Sequence, residues 1–332
     1  MFDLDGCIVA SPLLNVQNLS VQFRLNSGQT LQALSEVSFT VNSGETLGIV
    51  GESGCGKSTL ARSLLQLVSP AHGRIEWQGM PLPTGNTAAL RDYRRAVQCI
   101  FQDPLDALDP RMTVGDCIQE PMFALRAEWG KAAIRARVDE LLSAVGLESA
   151  MRERYPHEFS GGQCQRIGIA RALAVKPQLI VCDEPVSALD VSIRGQVVRL
   201  LADLQRKHGL TLLFISHDLG VVRELCNRVL VLYLGRVVEI ADTASLYATP
   251  QHPYTRLLLQ AMPLPDPQQE KARLAQIEIG VGELPSPLNP PAGCAFHPRC
   301  PQAQAVCREQ IPALRQVSDG RQVACHFTLA QA

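Results

Sequence analysis

A glycine-rich loop is the first part of the sequence that predicts chemistry. Residues 51–58 read "GESGCGKS", which fits the pattern G-x-x-x-x-G-K-[ST]. The apolar run "TLGIV" precedes this loop and the helical stretch "LARSLLQL" follows it, which is the context that the motif requires. Glycines let backbone N–H groups surround nucleotide phosphates, the lysine binds the same phosphates, and the hydroxyl binds Mg²⁺. We therefore predict nucleotide binding by Gly51, Ser53, Gly54, Cys55, Gly56, Lys57, Ser58 and Thr59.

Two adjacent acids supply the second half of such a site. The apolar run "LIVCD" ends at Asp183, and Glu184 follows directly. A carboxylate at a strand end can hold Mg²⁺, and the next one can polarise an attacking water. We predict that Asp183 joins Ser58 at the metal and that Glu184 is the general base. Many proteins that hydrolyse nucleotides share both motifs, so these alone indicate an NTPase.

The cysteines indicate a third kind of chemistry. Of eleven cysteines, four lie near the end of the chain, at Cys294, Cys300, Cys307 and Cys325. Clustered thiols in a reducing compartment favour metal or redox chemistry over disulfides. No tight C-x2–4-C pair of the kind found in structural zinc sites is present, and four widely spaced thiols suit an iron–sulfur cluster. Zinc, with help from His297 or His326, stays open as the alternative.

One further thiol, Cys55, lies inside the phosphate-binding loop. Its place at a helix start favours the thiolate. We therefore expect it to react with thiol reagents and the nucleotide to suppress that reaction.

The elements that must position these residues follow an alternating pattern. Residues 12–250 alternate short apolar strands such as "TLGIV", "LIVCD" and "TLLFIS" with amphipathic helical stretches, which predicts an α/β domain with a parallel sheet. Gly146 and Gly209 are predicted to end two of the helices. Prolines crowd the chain after residue 250, so residues 251–332 are predicted to form a small loop-rich domain.

Composition excludes several function classes. The chain has 332 residues, of which 46% are apolar and 19% charged, and a net charge of −1, which gives no basic footprint for nucleic acid. No apolar run is long enough to span a bilayer. The N-terminal "MFDLDGCIVAS" has acids where a secretory signal carries basic residues, so we expect an intracellular protein with a flexible extension over residues 1–11.

Four more motifs narrow the family. "IFQDP" (100–104), "FSGGQ" (159–163), "SALD" (187–190) and "FISHD" (214–218) resemble the Q-loop, signature, D-loop and switch histidine of ATP-binding-cassette (ABC) ATPases. The resemblance covers residues 12–250. It implies an ABC-type P-loop fold: a RecA-like parallel-sheet core, an antiparallel β subdomain, and a helical subdomain at about 103–163. It also implies ATP and Mg²⁺ as ligands.

The same resemblance implies a role for each matching residue. Phe23 would stack on adenine, Gln102 would contact Mg²⁺ and act in catalysis, and His217 would hold the γ-phosphate and the attacking water. Because the signature serves the nucleotide of another subunit, two cassettes would have to dimerise. Phe159 replaces the usual Leu, and Cys164 replaces a frequent Arg, which is expected to remove a charge from the dimer surface. The remaining nucleotide contacts would come from the signature and the D-loop, at Ser160, Gly161, Gly162, Gln163 and Asp190.

The C-terminal motifs resemble one branch of this family. "QHPYTRLLLQAMP" (251–263) and "GELPSPLNPPAGCAFHPRC" (282–300) are similar to the oligopeptide/dipeptide/nickel importer ATPases. Membership implies a second, different ATPase subunit, two transmembrane permease subunits and an extracytoplasmic binding protein. It also implies a peripheral place on the cytoplasmic face of the bacterial inner membrane and a 4Fe–4S cluster on the four cysteines. Because these cysteines are far in sequence from Lys57, we expect them to staple the C-terminal domain and to take no part in hydrolysis.

Other functions compete with this interpretation. A soluble ABC ATPase acting on ribosomes or DNA is one alternative, and an importer of nickel chelates, opines or glutathione is another. "FDLDGCIVAS" at residues 2–11 resembles the nucleophile motif of haloacid-dehalogenase-type phosphatases, with Asp3 and Asp5 in the catalytic positions. That motif needs a buried strand before it, and only Met1 precedes it here.

Overall fold

Two sheets and ten α-helices make up the part of the chain that the structure describes. This computed structural model describes residues 12–83, 85, 87–126, 128–262, 285–317 and 320–328, so the predicted extension over 1–11 lies outside it. The strands are β1 (Leu14–Arg24), β2 (Thr30–Val41), β3 (Thr46–Val50), β4 (His72–Trp77), β5 (Met80–Pro81), β6 (Val97–Ile100), β7 (Leu179–Asp183), β8 (Thr211–Ile215), β9 (Arg228–Tyr233), β10 (Arg236–Asp242), β11 (Arg315–Gln316) and β12 (Gln322–Val323). The helices are α1 (Lys57–Leu64), α2 (Ala88–Ala96), α3 (Val114–Leu125), α4 (Lys131–Ala144), α5 (Gly161–Leu173), α6 (Val191–His208), α7 (Leu219–Leu225), α8 (Thr243–Ala248), α9 (Pro253–Gln260) and α10 (Ala305–Glu309).

The larger sheet carries the predicted chemistry. Its order is β11-β12-β10-β9-β3-β8-β7-β6, and the five strands from β9 to β6 run parallel. The strands β3 and β8 are buried along their whole length, as expected when both faces of a sheet are covered. The smaller sheet, in the order β2-β1-β4-β5, is antiparallel. The predicted α/β cassette architecture is confirmed.

The two cores lie on opposite faces of the larger sheet. One core joins alternate side chains of the parallel strands, such as Ile49 and Leu213, to the antiparallel sheet, where Leu14 and Val37 are fully buried. The other core joins the opposite face, including Phe214, to helices α3 to α6. Within residues 103–163, the described residues form α3, α4, two 3-10 turns (Ser149–Glu153 and Pro156–Glu158) and the first turn of α5, and no strand.

Two helix ends behave as the sequence predicts. Gly209 follows α6 with a φ of 61°, and Gly146 lies just beyond α4 with a φ of 74°. Both angles lie in the left-handed region, where glycine has no Cβ to clash. The apolar face of α4 is buried as its spacing indicates, and Ile134, Val138, Leu141 and Leu142 face the core.

The described part of residues 251–332 is joined to the larger sheet. β12 pairs with β10, with Val323 opposite Glu239, and β11 pairs with β12. Tyr254 and Phe296, one on α9 and the other in the cysteine-rich segment, belong to the core on the helical face. No helix in the described ranges is long and apolar enough to cross a bilayer.

Candidate active site

The phosphate-binding loop leaves the carboxyl end of β3 and enters α1. Gly56 has a φ of 107°, and a Cβ at this position would lie 2.7 Å from the carbonyl oxygen of Ala33, so the loop needs glycine there. Lys57 begins α1 and is 6% exposed. Its ammonium donates to the carbonyl oxygens of Gly51 at 2.8 Å and Glu52 at 3.0 Å. The Lys57 side chain therefore lies inside the loop and binds its carbonyl oxygens, whereas Ser53 and Gly54 are exposed at the tip of the loop.

Cys55 differs from its expected chemistry. Its side chain is 1% exposed. Burial raises the pKa of the thiol above its ordinary value, although the nearby Lys57 ammonium opposes that shift. The prediction of a reactive thiolate is wrong, because the helix start and the lysine do not offset the loss of water. Cys55 contributes its backbone and its volume to the loop.

The predicted Mg²⁺ ligands lie next to each other. Ser58 Oγ donates to Asp183 Oδ1 at 3.2 Å, and Asp183 ends β7. Burial raises the pKa of Asp183, while the hydrogen bond from Ser58 opposes this shift. A divalent cation would reverse the effect of burial, since a nearby positive charge favours the carboxylate. The hydroxyl and carboxylate oxygens are therefore a donor set that suits Mg²⁺.

Three predicted catalytic side chains converge at the ends of three neighbouring parallel strands. Glu184 follows β7, Gln102 lies two residues beyond β6, and His217 lies two residues beyond β8. Glu184 Oε2 accepts a hydrogen bond from Gln102 Nε2 at 3.5 Å and lies 3.2 Å from His217 Nδ1. Glu184 has a φ of 48°, in the left-handed region that a glutamate rarely adopts. The backbone thus holds an acid in a strained conformation at the point where a base is required.

The signature forms the start of α5. Ser160 is its N-cap: the serine hydroxyl accepts a hydrogen bond from the N–H of Gln163, and Gln163 Oε1 accepts one from the N–H of Ser160. Gly161 is exposed, so this helix N-terminus presents N–H groups to the outside. A Cβ at Gly162 would lie 2.5 Å from Ile193 Cγ2, which explains the glycine there.

Three other residues that the sequence singles out are Asp190, Phe23 and Cys164. Asp190 is exposed and precedes α6 without capping it through its side chain. Phe23 is half-buried in β1 against the core of the antiparallel sheet. Cys164 is fully buried, and its thiol donates to the carbonyl oxygen of Pro156 at 3.4 Å. The expectation that Cys164 lies on the dimer surface is therefore wrong, since its side chain points into the helical core.

The four C-terminal cysteines come together. They line one small cavity with Phe296, His297 and His326, and the N–H of Cys294 donates to the carbonyl oxygen of Cys307 at 2.8 Å. Burial raises the pKa of Cys294 and Cys300, and that of Cys325 to about 11. Among the residues that the structure describes, no group of three or more ligating side chains is arranged to hold a metal ion.

Comparison with known proteins identifies the family. Residues 34–187 match the ABC transporter family, and residues 238–307 match the oligopeptide/dipeptide transporter C-terminal region. The oligopeptide transport ATP-binding protein OppF of Haemophilus influenzae is 47% identical over 321 residues, which cover 94% of this chain and 96% of the relative. The protein of the same name from Escherichia coli is 50% identical over 310 residues, which cover 91% of this chain and 92% of the relative. The chain belongs to the ABC transporter ATP-binding proteins.

Solved ABC structures share this fold. The cbiO1 protein of Clostridium perfringens, part of an ABC transporter complex, matches with a TM-score of 0.63 and 28% identity, covering 71% of this chain and 91% of its own. A dimeric ATP-binding cassette in a post-hydrolysis state, bound to ADP and Pi, matches with a TM-score of 0.63 and 29% identity, covering 69% of this chain and 98% of its own. The chain therefore has the fold of an ABC cassette, and it is an ATPase.

Three residues of this ABC ATPase were not singled out by the sequence. Glu52, in the phosphate-binding loop, is contacted by Tyr254 and by Arg299. Arg299 directly precedes Cys300, so the cysteine-rich segment contacts the phosphate-binding loop, although the two are far apart in the sequence. No pattern in the sequence pairs residues that are 247 positions apart.

Proposed function

We propose that this chain is the ATP-hydrolysing subunit that powers an importer of di- or oligopeptides. The observation that carries the proposal is the convergence of Gln102, Glu184 and His217 beside the Lys57 loop, because this set suits water attack on a bound γ-phosphate. The peptide cargo is supported by the match of residues 238–307 to the oligopeptide/dipeptide transporter C-terminal region and by the similarity to oligopeptide transport ATP-binding proteins.

The hydrolysis step is assigned to the chain's own residues as follows. Lys57 exchanges its hydrogen bonds to the loop carbonyls for the nucleotide phosphates. Glu184 accepts a proton from the water that attacks the γ-phosphorus, while the bond to the β-phosphate oxygen breaks and leaves ADP and inorganic phosphate. His217 and Gln102 orient this water and the γ-phosphate through their contacts with Glu184. Bound Mg²⁺ supplies charge neutralisation of the phosphates, and Ser58, Asp183 and Gln102 are the residues that would hold it.

The remaining nucleotide contacts call for a second cassette. The exposed N-terminus of α5, at Ser160 and Gly161, is a ready anion site for a nucleotide held by another subunit. We propose pairing with a different ATPase subunit, and assembly with two permease subunits and an extracytoplasmic binding protein. In this assembly the chain lies at the cytoplasmic face of the bacterial inner membrane. Phe23 is proposed to stack on adenine and Asp190 to contact the nucleotide across the dimer.

The cysteine cavity is proposed to hold a 4Fe–4S cluster. Four thiols, of which Cys307 is buried and the other three are half-buried, are the donor set that such a cluster uses. Zinc is the alternative, and it would require four ligand atoms to meet around a single ion, with thiolate sulfurs at about 2.3 Å. Cys294, Cys300, Cys307 and Cys325, which line the cavity, would be the residues that hold the cluster. Anaerobic purification should give about four irons per chain and visible absorbance; one zinc and a colourless protein would assign the cavity to zinc instead.

Reconstituted transport tests the function. The chain is assembled with its permease subunits, partner ATPase and binding protein in proteoliposomes, and uptake of labelled peptides is measured with ATP inside. We expect ATP-dependent peptide uptake that stops with Glu184→Gln. Uptake of nickel chelates, opines or glutathione without peptide uptake would assign a different cargo. ATPase stimulation by ribosomes or DNA without any uptake would refute the assignment as an importer subunit.

A further inference from the structure

One residue of the phosphate-binding loop is held from two sides by the C-terminal part of the chain. The N–H of Glu52 donates to the hydroxyl of Tyr254 at 2.9 Å. The guanidinium of Arg299 donates to both oxygens of the Glu52 carboxylate, from Nη1 to Oε2 at 2.8 Å and from Nη2 to Oε1 at 2.9 Å. Both partners come from beyond residue 250, and they bind the backbone and the side chain of the same residue.

The geometry of this ion pair is fixed by aromatic rings. The Arg299 side chain is 10% exposed, and that of Glu52 is 27% exposed. The guanidinium carbon of Arg299 lies 5.9 Å from the ring centre of Tyr233 and 5.8 Å from that of Phe296. A bidentate pair of this kind is directional as well as charged, and the rings remove alternative positions for the arginine. Arg299 is therefore a rigid anchor rather than a mobile surface charge.

Glu52 also contacts the lysine that is assigned to the phosphates. Lys57 Nζ donates to the carbonyl oxygen of Glu52 at 3.0 Å, so one residue links Lys57 to Arg299. The Glu52 carboxylate places a negative charge in a loop that must receive a polyphosphate. Without Arg299 that charge would be uncompensated and would repel the ligand.

We propose that Arg299 is a positioning residue for the nucleotide: it neutralises and anchors Glu52, and thereby sets the affinity of the phosphate-binding loop for ATP. This inference rests on the proposed function only in assigning the loop as the ATP site. The turn that carries Arg299, His297–Arg299, lies between Cys294 and Cys300, so the cysteine-rich segment takes part in forming the nucleotide site.

The test is a calorimetric titration of the full-length protein with a non-hydrolysable ATP analogue. We expect Arg299→Ala to raise the Kd about 10-fold, within the usual range of coupling between contacting elements. Adding Glu52→Gln to Arg299→Ala should restore the Kd to within about threefold of the wild type, because the uncompensated charge is removed. Rescue by removing a second group distinguishes this role from a merely structural one.

A matched control and a second variant keep the test decisive. Arg228→Ala removes another half-buried pair, between Arg228 and Glu45 at 3.2 Å, and should leave the Kd within about twofold. If Arg299→Ala does not fold, Arg299→Lys carries the test, with a smaller increase in Kd because the charge stays while the bidentate geometry is lost. An unchanged Kd in the Arg299 variant, an equal loss in Arg228→Ala, or no rescue by Glu52→Gln would overturn the proposal. Lys57→Ala separates the two hypotheses, since undiminished analogue binding in that variant would show that the loop is not the ATP site.

Discussion

Replacing Glu184 by glutamine tests the catalytic assignment most directly. The amide has the shape of the carboxylate, so its oxygen can still accept hydrogen bonds from Gln102 and from the His217 ring, which now lie 3.5 Å and 3.2 Å from Glu184 Oε2. The amide cannot accept a proton from water. We therefore expect ATP binding and folding to be kept while turnover falls by about 10²- to 10⁴-fold, the contribution of a general base.

This loss corresponds to a barrier increase of about 3 to 5 kcal/mol. The φ of 48° at Glu184 makes a second variant informative, because Glu184→Asp suits this backbone conformation but withdraws the carboxylate by about one bond length, roughly 1.5 Å. If reach as well as charge matters, the aspartate should rescue little of the activity. Glu224→Gln, at an exposed acid in α7, is the matched control and should keep full turnover.

The assay is phosphate release at saturating ATP, together with nucleotide binding and size-exclusion chromatography. In the presence of its partner ATPase subunit, the Glu184→Gln variant should bind ATP and accumulate as a closed dimer, because hydrolysis no longer opens it. Turnover within about fivefold of the wild type would refute the assignment of Glu184 as the base. Loss of ATP binding in this variant would refute the argument that the amide preserves the site.

Two further predictions concern the loop and its support. Cys55, which is 1% exposed and has a burial-raised pKa, should be alkylated much more slowly in the native protein than in the urea-unfolded protein; mass mapping of peptides after a short exposure checks this, and equal labelling of Cys55 in both states would contradict the burial argument. Gly235→Ala should destabilise the fold by about 2–4 kcal/mol, since its φ is 74° and a Cβ would lie 2.5 Å from the carbonyl oxygen of Ala33. In urea unfolding, Gly209→Ala is the control, because it has a similar φ of 61° but open space, and it should cost only about 1 kcal/mol; equal losses in both variants would exclude the clash as the cause.

Sequence patterns predicted the parts of the site that local rules determine. The phosphate-binding loop, the strands β3 and β7, and the glycine ends of α4 and α6 follow from spacing, burial periodicity and backbone freedom, all of which act over a few residues. The convergence of Gln102, Glu184 and His217 was predicted through the family resemblance. The structure explains this convergence. The strands β6, β7 and β8 are adjacent in a parallel sheet, so their carboxyl ends meet at one edge.

Side-chain environments were harder to predict because burial depends on the whole fold. Cys164 follows directly after the signature Gln163, yet its position on α5 turns it into the core. Cys55 lies at a helix start beside a lysine, two local features that favour a thiolate, but the surrounding core removes the water that a thiolate needs. In both cases a local rule was outweighed by packing from distant parts of the chain.

The contact between Arg299 and Glu52 changes how the C-terminal region is understood. A segment that only stapled its own domain would need no contact with the phosphate-binding loop, yet this one contacts it through a bidentate ion pair whose arginine lies near two aromatic rings. Coupling free energies are reciprocal, so if Arg299 strengthens nucleotide binding, the nucleotide must stabilise the Arg299 turn by the same factor. Since that turn lies between Cys294 and Cys300, the folding of the cysteine-rich segment and the occupancy of the ATP site cannot be independent. On this proposal, the segment that indicates the transporter branch would also be a structural part of the nucleotide site.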